Sequence, residues 1–122
     1  HIGFNEPGPE LIAGTHVVDL AEKTRRANAR FFSSVDEVPR QAITMGVGTI
    51  LKARIIVLIA KGKDKADIVR RALEGPVTTE CPASLLQTHP QLVVMLDREA
   101  ASELSPAVLN AAASGERTAW DA

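Results

Sequence analysis

ARIIVLIAKGKDKADIVRRALEG, residues 53–75, changes its hydrophobic period halfway along. Ile55 to Ala60 is an unbroken apolar run without alternation, the pattern of a parallel strand covered on both faces. After the turn at Lys61-Gly62-Lys63, apolar residues return at helical spacing: Ala66, Val69 and Leu73, flanked by Ile68 and Ala72. Gly75 ends that helix and Pro76 keeps it ended. Toward the N-terminus, QAITMGVGTILKA (Gln41 to Ala53) repeats the plan on a smaller scale: a short buried strand, a glycine turn at Gly46 and Gly48, then a helix. Toward the C-terminus, CPASLLQTHP predicts a short helix and QLVVMLD (Gln91 to Asp97) another buried strand. Strand, helix, strand, helix, strand is the order of an α/β fold with a parallel sheet. Ligands of such sheets bind beyond the carboxyl ends of the strands, where Gly46 and Lys61 to Lys65 fall.

Further upstream, THVV (Thr15 to Val18) has the β-branched content of a strand. Asp19 stands as an N-cap with Glu22 in capping-box position, and Leu20, Thr24, Ala27 and Phe31 predict an amphipathic helix over 20–32. SSVDEVP breaks it. The tail from Ala100 predicts a helix or two, fraying toward Ala122. No repeat of fixed period is present.

The 122 residues suffice for one domain with a real core, and 45% apolar with 24% charged residues is ordinary globular composition. A net charge of −1 excludes a general nucleic-acid or anionic-membrane binder, because either needs a basic surplus. No apolar run is long enough to span a bilayer. Cys81 is the single cysteine, so neither an internal disulfide nor a zinc cluster is expected. With no signal-peptide pattern at the start, a cytoplasmic location is expected.

Four residues carry candidate chemistry. His1 and Glu6 share the opening stretch HIGFNEPG, too rich in Gly and Pro for a helix. A carboxylate beside an imidazole holds one tautomer and raises its basicity for proton shuttling; the alternative is a loose chain end with an incidental histidine. Arg30 shares its helix with Lys23, Arg25 and Arg26, and position alone does not separate a ligand contact from solvated surface. Lys65 stands at the first turn of a helix, where free N–H groups favour an anion, yet the glycines match neither a Walker loop nor a dinucleotide fingerprint. His16 and His89 read as structural or exposed, and Ser84 and Cys81, outside any nucleophile-elbow context, are given no role.

HIGFNEPG, ANARFF, ITMGVGTIL, GKDKA and PASLLQTH with LDREAA occur in this order from His1 to about Ala101, and together they resemble the glucosamine-6-phosphate deaminase family. Related 6-phosphogluconolactonases share the approach to the histidine but do not continue as FNEP. The resemblance implies a three-layer α/β/α fold with a mainly parallel, Rossmann-like sheet, incomplete because the family's N-terminal strands are absent. It also implies that two family aspartates lie before His1, so a C-terminal portion of a larger enzyme is expected, inactive alone, with an exposed strand edge and uncovered apolar faces.

The implied reaction converts D-glucosamine 6-phosphate and water to D-fructose 6-phosphate and ammonia. His1 would shuttle the proton that opens the sugar ring, Glu6 would orient it, and Arg30 and Lys65 would bind the phosphate. Residues 16–45 match the family's mobile lid. No metal or organic cofactor is implied, since enolisation and imine hydrolysis need only acid–base groups. The implied partners are a sugar phosphate, the missing N-terminal half and, as an option, further copies of the chain. A galactosamine-6-phosphate deaminase, or a non-catalytic sugar-phosphate-binding module should the chain be naturally complete, stays open. At the positions of the enteric members' intersubunit activator site stand Pro9, His16, Val18 and Asp19, so activation through that site is not expected.

Overall fold

A computed structural model of the protein describes residues 1–114. Two strands, β3 (Ile56–Ala60) and β4 (Leu92–Leu96), pair in parallel from Ile56 opposite Leu92 to Ala60 opposite Leu96. Parallel neighbours cannot be joined by a hairpin. The crossover here is a 3-10 turn (Lys63–Lys65), helix α3 (Ala66–Glu74) and a 3-10 segment (Pro82–Thr88). Gly75 caps α3, its N–H donating to the Arg71 carbonyl, as the sequence predicts.

Alternation along the strands decides what is buried. Leu58, Ala60, Leu92, Val94 and Leu96 turn toward α3, where Val69, Leu73 and Leu104 form the core. The opposite face is open: Val57 is 52% exposed, Ile59 71% and Met95 56%. The expectation of a strand covered on both faces is therefore met on one face only by the described residues, while the expected uncovered apolar face is present. A second cluster, Ala72, Cys81 and Ala83, packs Ile2 and Ile68 against the flank of α3.

A separate antiparallel ribbon joins β1 (His16–Asp19) to β2 (Gln41–Thr44), with His16 opposite Thr44 and Asp19 opposite Gln41. The strand–helix–strand reading puts β2 in line for the parallel sheet; its hydrogen bonds go to β1 instead. Helix α2 (Val47–Leu51) follows at once. Gly46 precedes it as a site of close approach rather than of positive φ, because a Cβ there would collide with the carbonyls of Ala13 and Gly14. Gly48 lies inside α2 and is not a turn residue.

Two expectations for the following helix fail. Asp19 does not cap it: Asp19 is still in β1, its Oδ1 accepting from Gln41 Nε2 at 2.9 Å, and Leu20 N–H prolongs the ladder to Arg40 O. Helix α1 therefore starts at Glu22 and ends at Asn28, with no side-chain N-cap. Glu22 pairs with Arg25 and Arg26 instead of closing a capping box. A 3-10 turn follows at Ala29–Phe31, and the predicted stripe is not buried there: Ala27 is exposed within α1 and Phe31 is 69% exposed. Helix α4 (Pro106–Ser114) closes the described chain, and the expected fraying toward Ala122 lies outside the described residues.

Leu73 is 2% exposed at the centre of the core. Leu73→Ala should lower unfolding stability by about 2–5 kcal/mol in urea titrations, against about 0.5 kcal/mol or less for exposed Glu80→Ala. Equal effects would remove α3 from the centre of the fold.

Candidate functional site

The opening stretch is anchored to the body of the protein. Gly3 takes a positive φ of 56°, and the Asn5 N–H returns to the Ile2 carbonyl at 3.0 Å. Asn5, 3% exposed, donates through Nδ2 to Ile2 O at 2.9 Å and across the chain to Met45 O at 2.8 Å. Phe4 N–H donates to Thr44 Oγ1 at 3.1 Å. Gly8 N–H reaches Thr79 O. A loose chain end is thus not what the sequence forms here. These bonds seat the loop on the end of β2 and on the segment after α3, with His1 exposed at its start.

Glu6 is half-buried and accepts from Thr24 Oγ1 at 2.9 Å, a bond from the opening motif to α1. Among the described residues no hydrogen bond joins Glu6 to His1. Beside Glu6 lies an open cleft of about 270 Å³, lined on one side by Phe4, Asn5 and Glu10 and on the other by β1 from His16 to Asp19. His1, Arg30 and Lys65 are not among its lining residues.

Arg30 sits exposed in the 3-10 turn after α1, its guanidinium over the Phe31 ring at 4.8 Å from the centroid. Lys65 is exposed at the start of α3, one short turn beyond the C-terminal end of β3. Among the described residues no ion pair occupies either side chain, so both are free to meet an anion. No hydrogen bond or ion pair links His1, Arg30 and Lys65 to one another among the described residues.

The turn that carries Lys65 is held from the neighbouring strand. Gly62 has a φ of 93°, open to glycine but strained for other residues. Its N–H donates to both carboxylate oxygens of Asp97 at 3.1 Å, and Ala100 N–H donates to Oδ1 at 2.8 Å. The Ala100 bond first, then that from Gly62, holds the Asp97 carboxyl below its usual range, with Lys61 adding attraction.

Sequence reasoning missed Asn5, Thr24, Arg25 and Asp97. Arg25, one of four basic residues that position alone did not separate, is 6% exposed. Its donors point at carbonyls set by the fold, which no side-chain pattern encodes. Asn5 had a visible signal in its place inside FNEP; Asp97 had only its position just after a buried strand. His89 is structural, as expected: Nδ1 accepts Gln91 N–H, so Nε2 carries the proton it donates to Ala53 O at 2.7 Å. Among the described residues, no group of three or more His, Cys, Asp or Glu side chains could hold a metal ion, and no helix is long and apolar enough to cross a membrane.

The family profile described as glucosamine-6-phosphate isomerases/6-phosphogluconolactonase matches residues 15–95. The chain belongs to this family. A glucosamine-6-phosphate deaminase of Halothermothrix orenii is 56% identical over 104 residues, covering 85% of this chain and 43% of the relative. One from Exiguobacterium sibiricum is 54% identical over 105 residues, covering 86% of this chain and 42% of the relative. A solved structure described as a monomeric glucosamine-6-phosphate deaminase of the NagB superfamily superposes with a TM-score of 0.77 at 52% identity, over 82% of this chain and 42% of that one. The α/β, Rossmann-like fold is therefore that of the glucosamine-6-phosphate isomerase/6-phosphogluconolactonase family. The chain spans less than half the length of these relatives.

The depressed Asp97 carboxyl makes a pH prediction. A carboxylate whose folded pKa lies below its unfolded value of about 3.9 adds stability above that pH, and the contribution disappears as pH falls through the folded value. Asp97→Asn should therefore cost stability at neutral pH, and its difference from the parent should shrink below about pH 4. A difference in unfolding midpoint that stays constant from neutral pH to about pH 2 would show that the charge is immaterial.

Proposed function

We propose that this chain is the C-terminal portion of a cytoplasmic glucosamine-6-phosphate deaminase, which converts D-glucosamine 6-phosphate and water to D-fructose 6-phosphate and ammonia. The observation that carries this is identity above one half to proteins of that name, across 85% of the chain. The anchored opening motif and two exposed cations without ion pairs support it. A phosphorylated sugar is charged and stays inside the cell, which fits the location.

In this reading the phosphate dianion is gripped by Arg30 and Lys65. A guanidinium fork and a point-charge ammonium supply charge-assisted bonds far from the reacting carbons, and that remote binding energy positions the sugar. His1 moves the proton from the anomeric hydroxyl to the ring oxygen as the ring opens, and Glu6 orients it. The Thr24 hydroxyl donates to Glu6 Oε1 and so restricts how the carboxylate can turn. Residues 16–45 act as a lid that couples phosphate capture to exclusion of water. The segment that precedes this chain in the family supplies the enolising base and covers the open face of β3 and β4.

The test uses the complete enzyme, the chain together with that preceding segment. A hydrogen bond to a charged group is worth about 1.5–3 kcal/mol, so Arg30→Ala should raise KM for glucosamine 6-phosphate roughly tenfold or more. A rise below about threefold would remove Arg30 from the phosphate site.

A further inference from the structure

Among the described residues, Arg25 is a buried charged side chain held by three hydrogen bonds. It is 6% exposed, yet Glu22, its ionic partner among the described residues, is largely solvated. Nη1 donates to Glu22 Oε2 at 3.2 Å. Nη2 donates to two main-chain carbonyls, Val35 O at 3.0 Å and Val38 O at 3.2 Å. Nε is buried and has no hydrogen-bond partner among the described residues. Burying a guanidinium is unfavourable unless its donors are satisfied, so folding stability alone would not select this arrangement.

The two carbonyls lie on the far side of the 3-10 turn that carries Arg30. Chain leaves α1 at Asn28, passes through Arg30, and returns to Val35 and Val38 directly under Arg25. Inside the bracket, Phe32 N–H returns to Ala29 O, Val38 N–H to Val35 O, and Ser33 N–H to the Glu37 carboxylate. Val38, 3% exposed, closes the base. Arg30 itself, by contrast, is exposed and rests on Phe31.

We propose that Arg25 is the positioning residue for Arg30: its buried fork ties the two stems of the 29–38 loop together and presents the Arg30 guanidinium already ordered. This rests on the reading of Arg30 as a phosphate ligand. Ordering the loop before the ligand arrives removes a conformational-entropy cost from binding. The fork is essential, because a planar guanidinium reaches two carbonyls and a carboxylate at once, whereas an ammonium is a point donor.

The experiment compares Arg25→Lys, Arg30→Ala and the double variant in the complete enzyme. Arg25→Lys should raise KM for glucosamine 6-phosphate about five- to tenfold and leave kcat within about twofold. In the Arg30→Ala background it should add nothing to KM, since it acts through Arg30. Multiplying KM effects, or an unchanged KM in Arg25→Lys beside a raised KM in Arg30→Ala, would overturn the positioning role alone. An unchanged KM in Arg30→Ala would overturn the phosphate reading and this role with it. Hydrogen exchange supplies a readout independent of turnover. The amides of Phe32, Glu37 and Val38 should exchange about tenfold faster in Arg25→Lys, with β3 and β4 unchanged. Equal acceleration in β3 and β4 would reduce Arg25 to general support of the fold. Should Arg25→Lys not fold, Glu22→Gln, which loosens one arm of the fork, should raise KM in the same direction and to a smaller extent; no rise there would also overturn the role.

Discussion

The pairing of β3 with β4 and the burial of α3 against them is the arrangement on which the rest depends. Because the strands are parallel, the chain must cross over between them, and both strands then end on one rim. One step beyond that rim stand Gly62 and Asp97, and the hydrogen bonds between them tie the exits of neighbouring strands. Lys65 leaves from this tie at the head of α3. Its position is therefore set by the apolar contacts of Val69 and Leu73 behind it and by a carboxylate from the next strand beside it.

Away from this core the protein is held by short polar links to distant carbonyls. Asn5 reaches Met45, Arg25 reaches Val35 and Val38, His89 reaches Ala53, and Gln87 reaches Ala72 and Gly75. Loops expose main-chain groups that no helix or strand satisfies, and these side chains supply the missing donors. The consequence is a set of loops ordered without much apolar burial. Between the opening motif and α1 runs a side-chain bond from Thr24 to Glu6, worth about 0.5–1.5 kcal/mol net. A link of that strength suits elements that must part and meet again, as the proposed lid requires.

Both core strands and α3 were legible in the residues. Ile55 to Ala60 and Gln91 to Asp97 announce strands, though only one face of each is covered, and the spacing of Ala66, Val69 and Leu73 matches the buried face of α3. Residues 16–45 were read less well. A helix over 20–32 follows from the spacing of Leu20, Thr24, Ala27 and Phe31, but the ladder between β1 and β2 consumes Asp19 and Leu20. A switch to 3-10 winding after Asn28 then shifts the phase of everything beyond it. Periodicity weighs only the spacing of the residues themselves, so it placed Ala27 and Phe31 inward and did not see the carbonyls of Val35 and Val38 that draw Arg25 in.

Hydrophobic period was enough to read an α/β chain, and the short motifs carried the resemblance to this family by which Arg30 and Lys65 join His1 and Glu6 as its candidate chemistry. Those properties are local, carried by residues a few positions apart. Which strand β2 pairs with, that Arg25 is buried under two carbonyls, and that Asp97 holds the turn before Lys65 were decided by packing across tens of residues. A hydrogen bond to a main-chain carbonyl depends on where the backbone arrives, and no side-chain pattern records that.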